Sequence, residues 1–546
     1  MANEKLRGCG IMQDTGQDEA AHVVADQEPV ARLLSDPATH GAEVSDVERL
    51  DTHASMVFLA GERVYKVKRA VDFPYMDFST LEKRRRACAR ELELNRRTAP
   101  EIYLGVCPVL RDEDGALYLG PMDAEGARSP EGKEAVEWAV VMRRFPQERL
   151  LDRLADEGLL DAATVDALAA TIADFHDRAE PVEGGGAAAL DWVIAENAGE
   201  FRQSPELFPS EDAEALNAAS SQALEAVRDL LDRRAADGLV RRCHGDLHLR
   251  NVVLLEEGPR LFDAIEFNDD IACIDALYDL AFMLMDLDRR ELGWAANRLL
   301  NRYLQDRDDL EGLAAMPLFL SLRAAIRAKV NASAVAAQRD AAARKRLRTE
   351  IGALFQAARA YLKPATPCLV AIGGVSGTGK TTLARELAPG LGAPPGALIF
   401  RSDVERKRIF GVGETERLPK AAYQGRINAQ VYEQTRERAR RALAAGRSAI
   451  VEATFLRRED RVGIRKLGEA AGVPYCGLWL QAPETELLSR VAGRSGDASD
   501  ATQEILAGQL ERAPKGEVAW PSVDAGGNIE AVAARAWDTL REAGLL

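Results

Sequence analysis

The chain is poor in several things, and each shortage narrows what it can be. Its seven cysteines are odd in number and scattered, with no C-x-x-C pair and no Cys/His spacing. That excludes a disulfide framework and a zinc site, and it is the usage of a reducing compartment, so a cytoplasmic protein is expected. No run of about 18 apolar residues occurs, which leaves no candidate membrane span. Basic residues are also in deficit. Lys and Arg number 71 against 87 Asp and Glu, a formal net charge of −16 with a sequence pI of about 5.1. Bulk nucleic-acid binding needs a basic footprint, so nucleic acid is not expected as the partner. Residues 1–27 are polar and lack an apolar signal core, and they read as a loose tail. No internal repeat is found. What remains is a chain of 546 residues, 47% hydrophobic. That is too long for one ordinary domain and rich enough in apolar residues for several cores.

The first two thirds are arranged around His244-Gly-Asp-Leu-His-Leu-Arg-Asn251. An Asp followed five positions later by Asn has the spacing of a protein-kinase catalytic loop. Asp246 would take the proton of an attacking hydroxyl, and Asn251 would hold magnesium on the nucleotide phosphates. Residues 252–255 and 260–262 read as strands about a turn at 256–259. Such a hairpin brings Asn251 towards Asp263, and an amide with a carboxylate is a reasonable oxygen-ligand pair for magnesium.

The stretch HGDLHLRN, with FDAIEF behind it, resembles the aminoglycoside phosphotransferase and choline kinase-like family. The resemblance implies a protein-kinase-like fold that phosphorylates small hydroxylated molecules. The second metal ligand stays open between Asp263 and Glu266. A hairpin is expected over residues 56–68, with Lys66 and Lys68 on one strand face, one of them reaching the α- and β-phosphates. Lys66 is the lysine the resemblance favours. Glu91, in a charge-dense helix over 81–97, is the carboxylate it implies as partner, with Glu82 and Glu93 as competitors. Residues 52–55 stand where the phosphate-covering loop belongs, yet no G-x-G-x-x-G is present. Asp279 is expected to brace the catalytic loop, and His248 either to contact phosphate or to support the loop. His176 reads as a packed helix residue. Arg323 and Arg327, at i and i+4 with Lys329 beside them, form a basic face, either solvated or holding an anionic substrate.

After a Pro-rich break at 363–367 a second phosphate motif appears. Gly374-Val375-Ser376-Gly377-Thr378-Gly379-Lys380-Thr381 matches GxxxxGK[ST], with an apolar strand before it and a helix after Thr382. Backbone N–H groups would cradle the phosphates, Lys380 would reach the β- and γ-phosphates, and Thr381 would bind magnesium. Alternating strands and helices imply a parallel sheet with its site beyond the strand C-termini. Asp403 falls there as a candidate base for an acceptor hydroxyl, although Ser402-x-x-Glu405 also reads as a capping box. Glu452 takes the position of a magnesium-shell carboxylate. The stretch carrying Arg490 and Arg494 resembles the arginine-bearing lid of small P-loop kinases, which implies that both stabilise the transferred phosphoryl group. This part resembles P-loop small-molecule kinases such as gluconate kinases, chloramphenicol phosphotransferase and zeta-type toxins.

The expected protein is an α+β protein-kinase-like domain (28–362), a linker (363–367) and an α/β P-loop kinase domain with a parallel sheet (368–546). This arrangement resembles the bacterial bifunctional aminoglycoside phosphotransferase-like/ATP-binding family. The resemblance implies ATP and Mg2+ as cofactors and small hydroxylated molecules as acceptors, without implying antibiotic modification. Two other readings stand beside it. One domain is a nucleotide-binding regulatory module, or the P-loop domain is a polynucleotide 5′-kinase.

Overall fold

A computed structural model of the protein describes residues 22–52, 54–73, 75–335, 340–493, 498–514 and 518–545. Its contacts divide the chain into two compact units, Met1–Arg149 with Arg260–Ala272, and Leu150–Pro259 with Cys273–Leu546.

The first unit is built on short runs of β-branched and aromatic residues. Strands Val47–Asp51, Ser55–Ala60, Arg63–Lys68, Ala135–Arg143, Tyr103–Arg111 and Leu117–Leu119 form, in that spatial order, a six-stranded antiparallel sheet. The expected hairpin turns at Gly61, whose φ of +56° suits glycine. Side chains alternate faces along a strand. Phe58, Tyr65, Val67, Val109 and Val141 therefore share one face with Val30 and Leu34 of helix Glu28–Ser35. Lys66 and Lys68 lie on the other face, towards helix Leu81–Asn95, whose first turn is capped by Thr80. That helix buries Arg84, Ala87, Cys88, Glu91, Leu92 and Asn95, a helical stripe that carries ions into the interior. Arg84 is neutralised there by Glu137, with Nε 3.0 Å from both carboxylate oxygens. Most charges on this helix were expected to be solvated; the buried stripe takes these two because each finds an opposite charge.

The second unit opens with helices, chiefly Ala162–Arg178, Ala187–Gln203, Ser210–Ala236, Ala276–Arg289, Gly293–Tyr303, Met316–Ser333 and Ala341–Tyr361. Helix Ala187–Gln203 starts directly after Gly184, Gly185 and Gly186, all at positive φ. The unit closes with a five-stranded parallel sheet in the order Leu398–Arg401, Ala449–Glu452, Leu369–Gly373, Tyr475–Gln481, Ser522–Asp524. All five residues of the central strand Leu369–Gly373 are buried, as helices on both faces require.

Both parts belong to one unit because the edge of this sheet is covered. Strand Leu398–Arg401 has a partner on one side only. On its open side Asn301 Oδ1 accepts from the Ile399 N–H at 2.7 Å. Asn297 Nδ2 donates to the carbonyls of Pro395 (2.9 Å) and Ala397 (3.0 Å). Two asparagines one turn apart on helix Gly293–Tyr303 thus do the work of a neighbouring strand. The Pro-rich stretch 363–367 joins two parts of this unit, and the division by packing falls after Arg149. No helix among the described residues is long and apolar enough to cross a membrane.

Candidate active sites

In the first unit the two lysines and three carboxylates form one cluster, which is closed off from solvent except at Asp263. Lys66 Nζ lies 2.8 Å from Glu91 Oε1 and 2.5 Å from Asp263 Oδ1. Lys68 Nζ lies 2.5 Å from Glu91 Oε2 and pairs with Glu266. Burial works to lower both lysines, but the carboxylates outweigh it. Asp263 and then Glu91 raise Lys66 well above its ordinary value, and Glu266 and then Glu91 raise Lys68 to about 12. Burial likewise favours the neutral form of Glu91, yet Lys66 and Lys68 hold it below its usual range. Glu266 is pushed up, burial prevailing over Lys68. Three carboxylates against two lysines leave the cluster one positive charge short, which suits an added cation. Asp263 sits at φ +63°, a strained conformation for a residue other than glycine. It is held there by its N–H on the Tyr103 hydroxyl (3.1 Å), while the next N–H, of Ala264, donates to Asn95 Oδ1 (2.8 Å). At residues 52–55, Thr52 closes a tight turn on Ser55 where a glycine-rich loop was sought; His53 lies outside the described residues.

In the second unit the catalytic-loop motif is braced from behind. Asp279 accepts the backbone N–H groups of His244 (3.2 Å) and Gly245 (2.9 Å) and bonds His176 Nε2 (3.1 Å). His176 is fully buried and reaches Tyr303 with its other nitrogen at 2.9 Å. Asp286 accepts the Leu249 N–H at 3.1 Å. With the loop so fixed, Asn251 Nδ2 donates to both the carbonyl and a carboxylate oxygen of Asp246, each at 2.9 Å. The Asn251 carbonyl oxygen is the atom this leaves to offer a cation. His248 Nε2 stands 3.3 Å from Asp246 Oδ2, with its ring edge-on to Phe282. Burial pushes the Asp246 carboxyl up, but His248 and then Arg327 outweigh it and hold it well below the usual range. The basic face expected at Arg323 is not solvated. Arg323 is buried, stacked 3.9 Å over Tyr278, and donates to the Tyr278 (3.1 Å) and Gly245 (3.2 Å) carbonyls.

The phosphate loop follows the central strand. Gly374, Gly377 and Gly379 have φ of +144°, +88° and +83°. A Cβ at Gly377 would also meet the Leu487 carbonyl at 2.9 Å. Val375 packs with Leu487, Val491 and Leu506, and Thr378 Oγ1 donates to the Val375 carbonyl at 2.8 Å. The Ser376 N–H is taken by Gln509 at 2.7 Å. Lys380 folds back on the Gly374 and Val375 carbonyls, 3.0 Å from each. Thr381 Oγ1 donates to Glu452 Oε1 at 2.8 Å, whereas Thr382 is exposed. Asp403 is half-buried at the end of the edge strand. Burial raises its carboxyl, against the opposing charges of Arg401 and Lys380. The capping box read at Ser402 and Glu405 does not form. Arg401 is the cap position, no side chain caps the helix, and Glu405 is buried against Arg438 (3.4 Å) because the helix start is packed inward. Arg490 is held by Glu486 (2.8 Å) and the Ala525 carbonyl (3.1 Å). Arg494 lies outside the described residues.

Comparison with known proteins gives two family matches, the first of which runs across both packing units. The Phosphotransferase enzyme family model matches residues 76–315 and the AAA domain model residues 369–515. Uncharacterized protein Rv2004c of Mycobacterium tuberculosis is 31% identical over 475 residues, covering 85% of this chain and 89% of that protein. The chain belongs to the Rv2004c family. Among solved structures, a choline/ethanolamine kinase family protein from Mesorhizobium loti is 13% identical over 62% of this chain and 94% of its own, with a TM-score of 0.35. A gluconokinase from Sinorhizobium meliloti 1021 is 23% identical over 32% of this chain and 93% of its own, with a TM-score of 0.23. The chain therefore combines a kinase-like phosphotransferase domain with a P-loop kinase domain.

Three further residues of this family member come from structure alone. Arg401 Nε binds Glu452 Oε1 at 2.7 Å and its Nη2 reaches Thr381 Oγ1 at 3.3 Å. Its Nη1 binds Glu414 at 2.8 Å, and Glu414 also accepts from Arg302 (3.4 Å) of the asparagine-bearing helix and from Gln305 (3.0 Å) just beyond that helix. Gln509 is the third. None stands in a motif; an arginine ending an edge strand was the one available signal.

Proposed function

We propose that the protein is an ATP-dependent phosphotransferase with two kinase-type sites, each passing a phosphoryl group to a hydroxyl of a small molecule. The observation that carries this reading is the pair of lysine centres in one chain, Lys66 ion-paired with Glu91 and Asp263, and Lys380 resting on the glycine loop before Thr381, whose hydroxyl donates to Glu452. In the kinase-like part, Lys66, fixed by Glu91, binds the α- and β-phosphates. Asp246 aligns the acceptor hydroxyl. The acceptor oxygen bonds to the γ-phosphorus, the bond to the β,γ-bridging oxygen breaks, and ADP leaves with that electron pair. The hydroxyl proton passes to Asp246 and then to water. A carboxyl with so low a pKa is a weak base, which suits a loose transition state in which the proton moves late.

Asn251 of the second unit and Asp263 of the first are each a candidate magnesium ligand, and Thr381 with Glu452 would hold magnesium in the P-loop part. The buried Glu452 Oε2, which has no hydrogen-bond partner, fits a nearby cation. Magnesium, when bound, neutralises charge on the phosphates. In the P-loop part the backbone of residues 374–379 encloses the phosphates, Lys380 turns from its own carbonyls to them, and Asp403 receives the second acceptor. Arg490 and Arg494 serve the transferred group from the lid.

A second reading is favoured by Arg401. Its guanidinium neutralises Glu452 and touches Thr381, the oxygens a metal needs, so the P-loop part binds nucleotide as a regulatory module.

ADP release by the full chain, Asp246→Asn and Lys380→Ala across sugars, aminoglycosides, nucleosides and metabolite extract separates these readings. Two acceptors, each lost in one variant, are expected for two kinases. If Lys380→Ala loses nucleotide binding but no product, the regulatory reading stands.

A further inference from the structure

The catalytic loop of the second unit lies against helix Met316–Ser333, which presents three basic residues with three different fates. Arg323 is consumed by the fold through its bonds to the Tyr278 and Gly245 carbonyls and its stacking on Tyr278 and Phe282. Lys329 is paired with Glu196 of helix Ala187–Gln203. Arg327 stands one turn beyond Arg323, on the face that meets the loop at Gly245, the residue before Asp246. It is half-buried, and among the described residues it has no hydrogen-bond or ion-pair partner. Its charge is nevertheless felt at the Asp246 carboxyl, after that of His248.

A guanidinium cannot shed its proton at any ordinary pH. Half-buried and without a hydrogen bond, it has lost part of its hydration with no direct partner in return, and its planar fork matches a carboxylate or phosphate in two parallel bonds. A cationic acceptor would be repelled by the same charge. We propose that the acceptor phosphorylated beside Asp246 carries an oxyanion, and that Arg327 binds it. This rests on Asp246 as the residue that receives the acceptor hydroxyl. The class is a hydroxycarboxylate or a phosphorylated sugar, and Arg327 is its specificity-determining residue.

Two measurements on the full chain test this, with Lys380→Ala as the background so that only the kinase-like part turns over. First, ADP release is followed with tartrate, glycerate, glucose 6-phosphate, glucose and kanamycin. Turnover is expected with one anionic class, the carboxylates or the phosphates. Arg327→Gln should raise KM for that acceptor about tenfold or more with kcat and KM for ATP little changed, and Arg327→Lys should recover part of the loss. Turnover confined to glucose or kanamycin overturns the proposal, as does a fall in kcat at constant KM, which would put Arg327 on the transferred phosphoryl group. Second, phenylglyoxal modification of Arg327 is mapped by mass spectrometry with each compound present. Protection by the anionic compounds and not by glucose supports the proposal even without turnover; equal modification throughout overturns it. Asp246→Asn guards the underlying reading: if acceptor turnover survives that change, the assignment of Asp246 fails, whereas Arg327 alone failing leaves it standing.

Discussion

The two lysines proposed to meet nucleotide in this chain are presented in opposite ways. Lys380 is placed by its own neighbours. Eight consecutive residues supply the left-handed glycines, the amides and the hydroxyl, and the lysine rests on carbonyls five and six residues back. Lys66 is placed by residues 25 and 197 positions away, in a buried network where each ion depends on the others. A local site is robust to changes elsewhere and sensitive to backbone shape. A network of remote ions is sensitive to the loss of any member, because a stranded buried charge costs more than the pair contributed.

The sharpest way to break the contrast is Glu91→Ala, which removes the carboxylate shared by both lysines and leaves each with one partner. It should destabilise the first unit by about 3–5 kcal/mol and abolish the turnover that depends on Asp246, with nucleotide binding at Lys380 intact. Urea unfolding with a fluorescent nucleotide titration reads both, and a loss below about 1 kcal/mol would refute the network. Next comes the double change Asn297→Ala with Asn301→Ala, which shows whether the local loop also depends on something distant. The edge strand would lose its cover at Ile399, Pro395 and Ala397, at a cost of about 2–4 kcal/mol, with concentration-dependent aggregation visible in light scattering.

Lys68 gives a smaller, pH-resolved effect. Its folded pKa of about 12 lies above the ordinary 10.5. The stabilisation is therefore complete below pH 10.5 and is lost as pH rises through about 12. The difference of 12 − 10.5 = 1.5 units corresponds to about 2 kcal/mol. Lys68→Met should remove that alkaline slope from the stability curve, and a slope equal to that of the parent protein would count against the pairing. The smallest expected change in stability, about 1–2 kcal/mol, belongs to Gly377→Ala. Here the effect is conformational, and nucleotide affinity at the P-loop should fall about tenfold in a direct titration.

Much of this was legible in the chain. The hairpin of Ser55–Ala60 with Arg63–Lys68 and the phosphate loop stand where alternation and glycines put them. So does the brace at Asp279. The choices between Lys66 and Lys68, and between Asp263 and Glu266, stayed open because each pair lies two or three residues apart and local patterning treats its members alike. The fold ties them as two pairs sharing Glu91, whose two oxygens face different lysines. Arg401, Glu414 and Gln509 had no motif to announce them, and the two asparagines that finish the sheet edge look in sequence like any polar helix residues.

By itself, then, the sequence determined the elements, the phosphate loop and the identity of the two kinase-type parts, because glycine conformation, apolar periodicity and motif spacing act over a few residues. The tertiary structure decided which ions are buried together, that Arg323 is bound into the fold while Arg327 has no hydrogen-bond or ion-pair partner among the described residues, and that the P-loop sheet is completed by a helix of the kinase-like part. Those outcomes depend on desolvation and on hydrogen-bond partners supplied across a hundred residues or so, as from Asn297 to Ala397, and no local pattern encodes them.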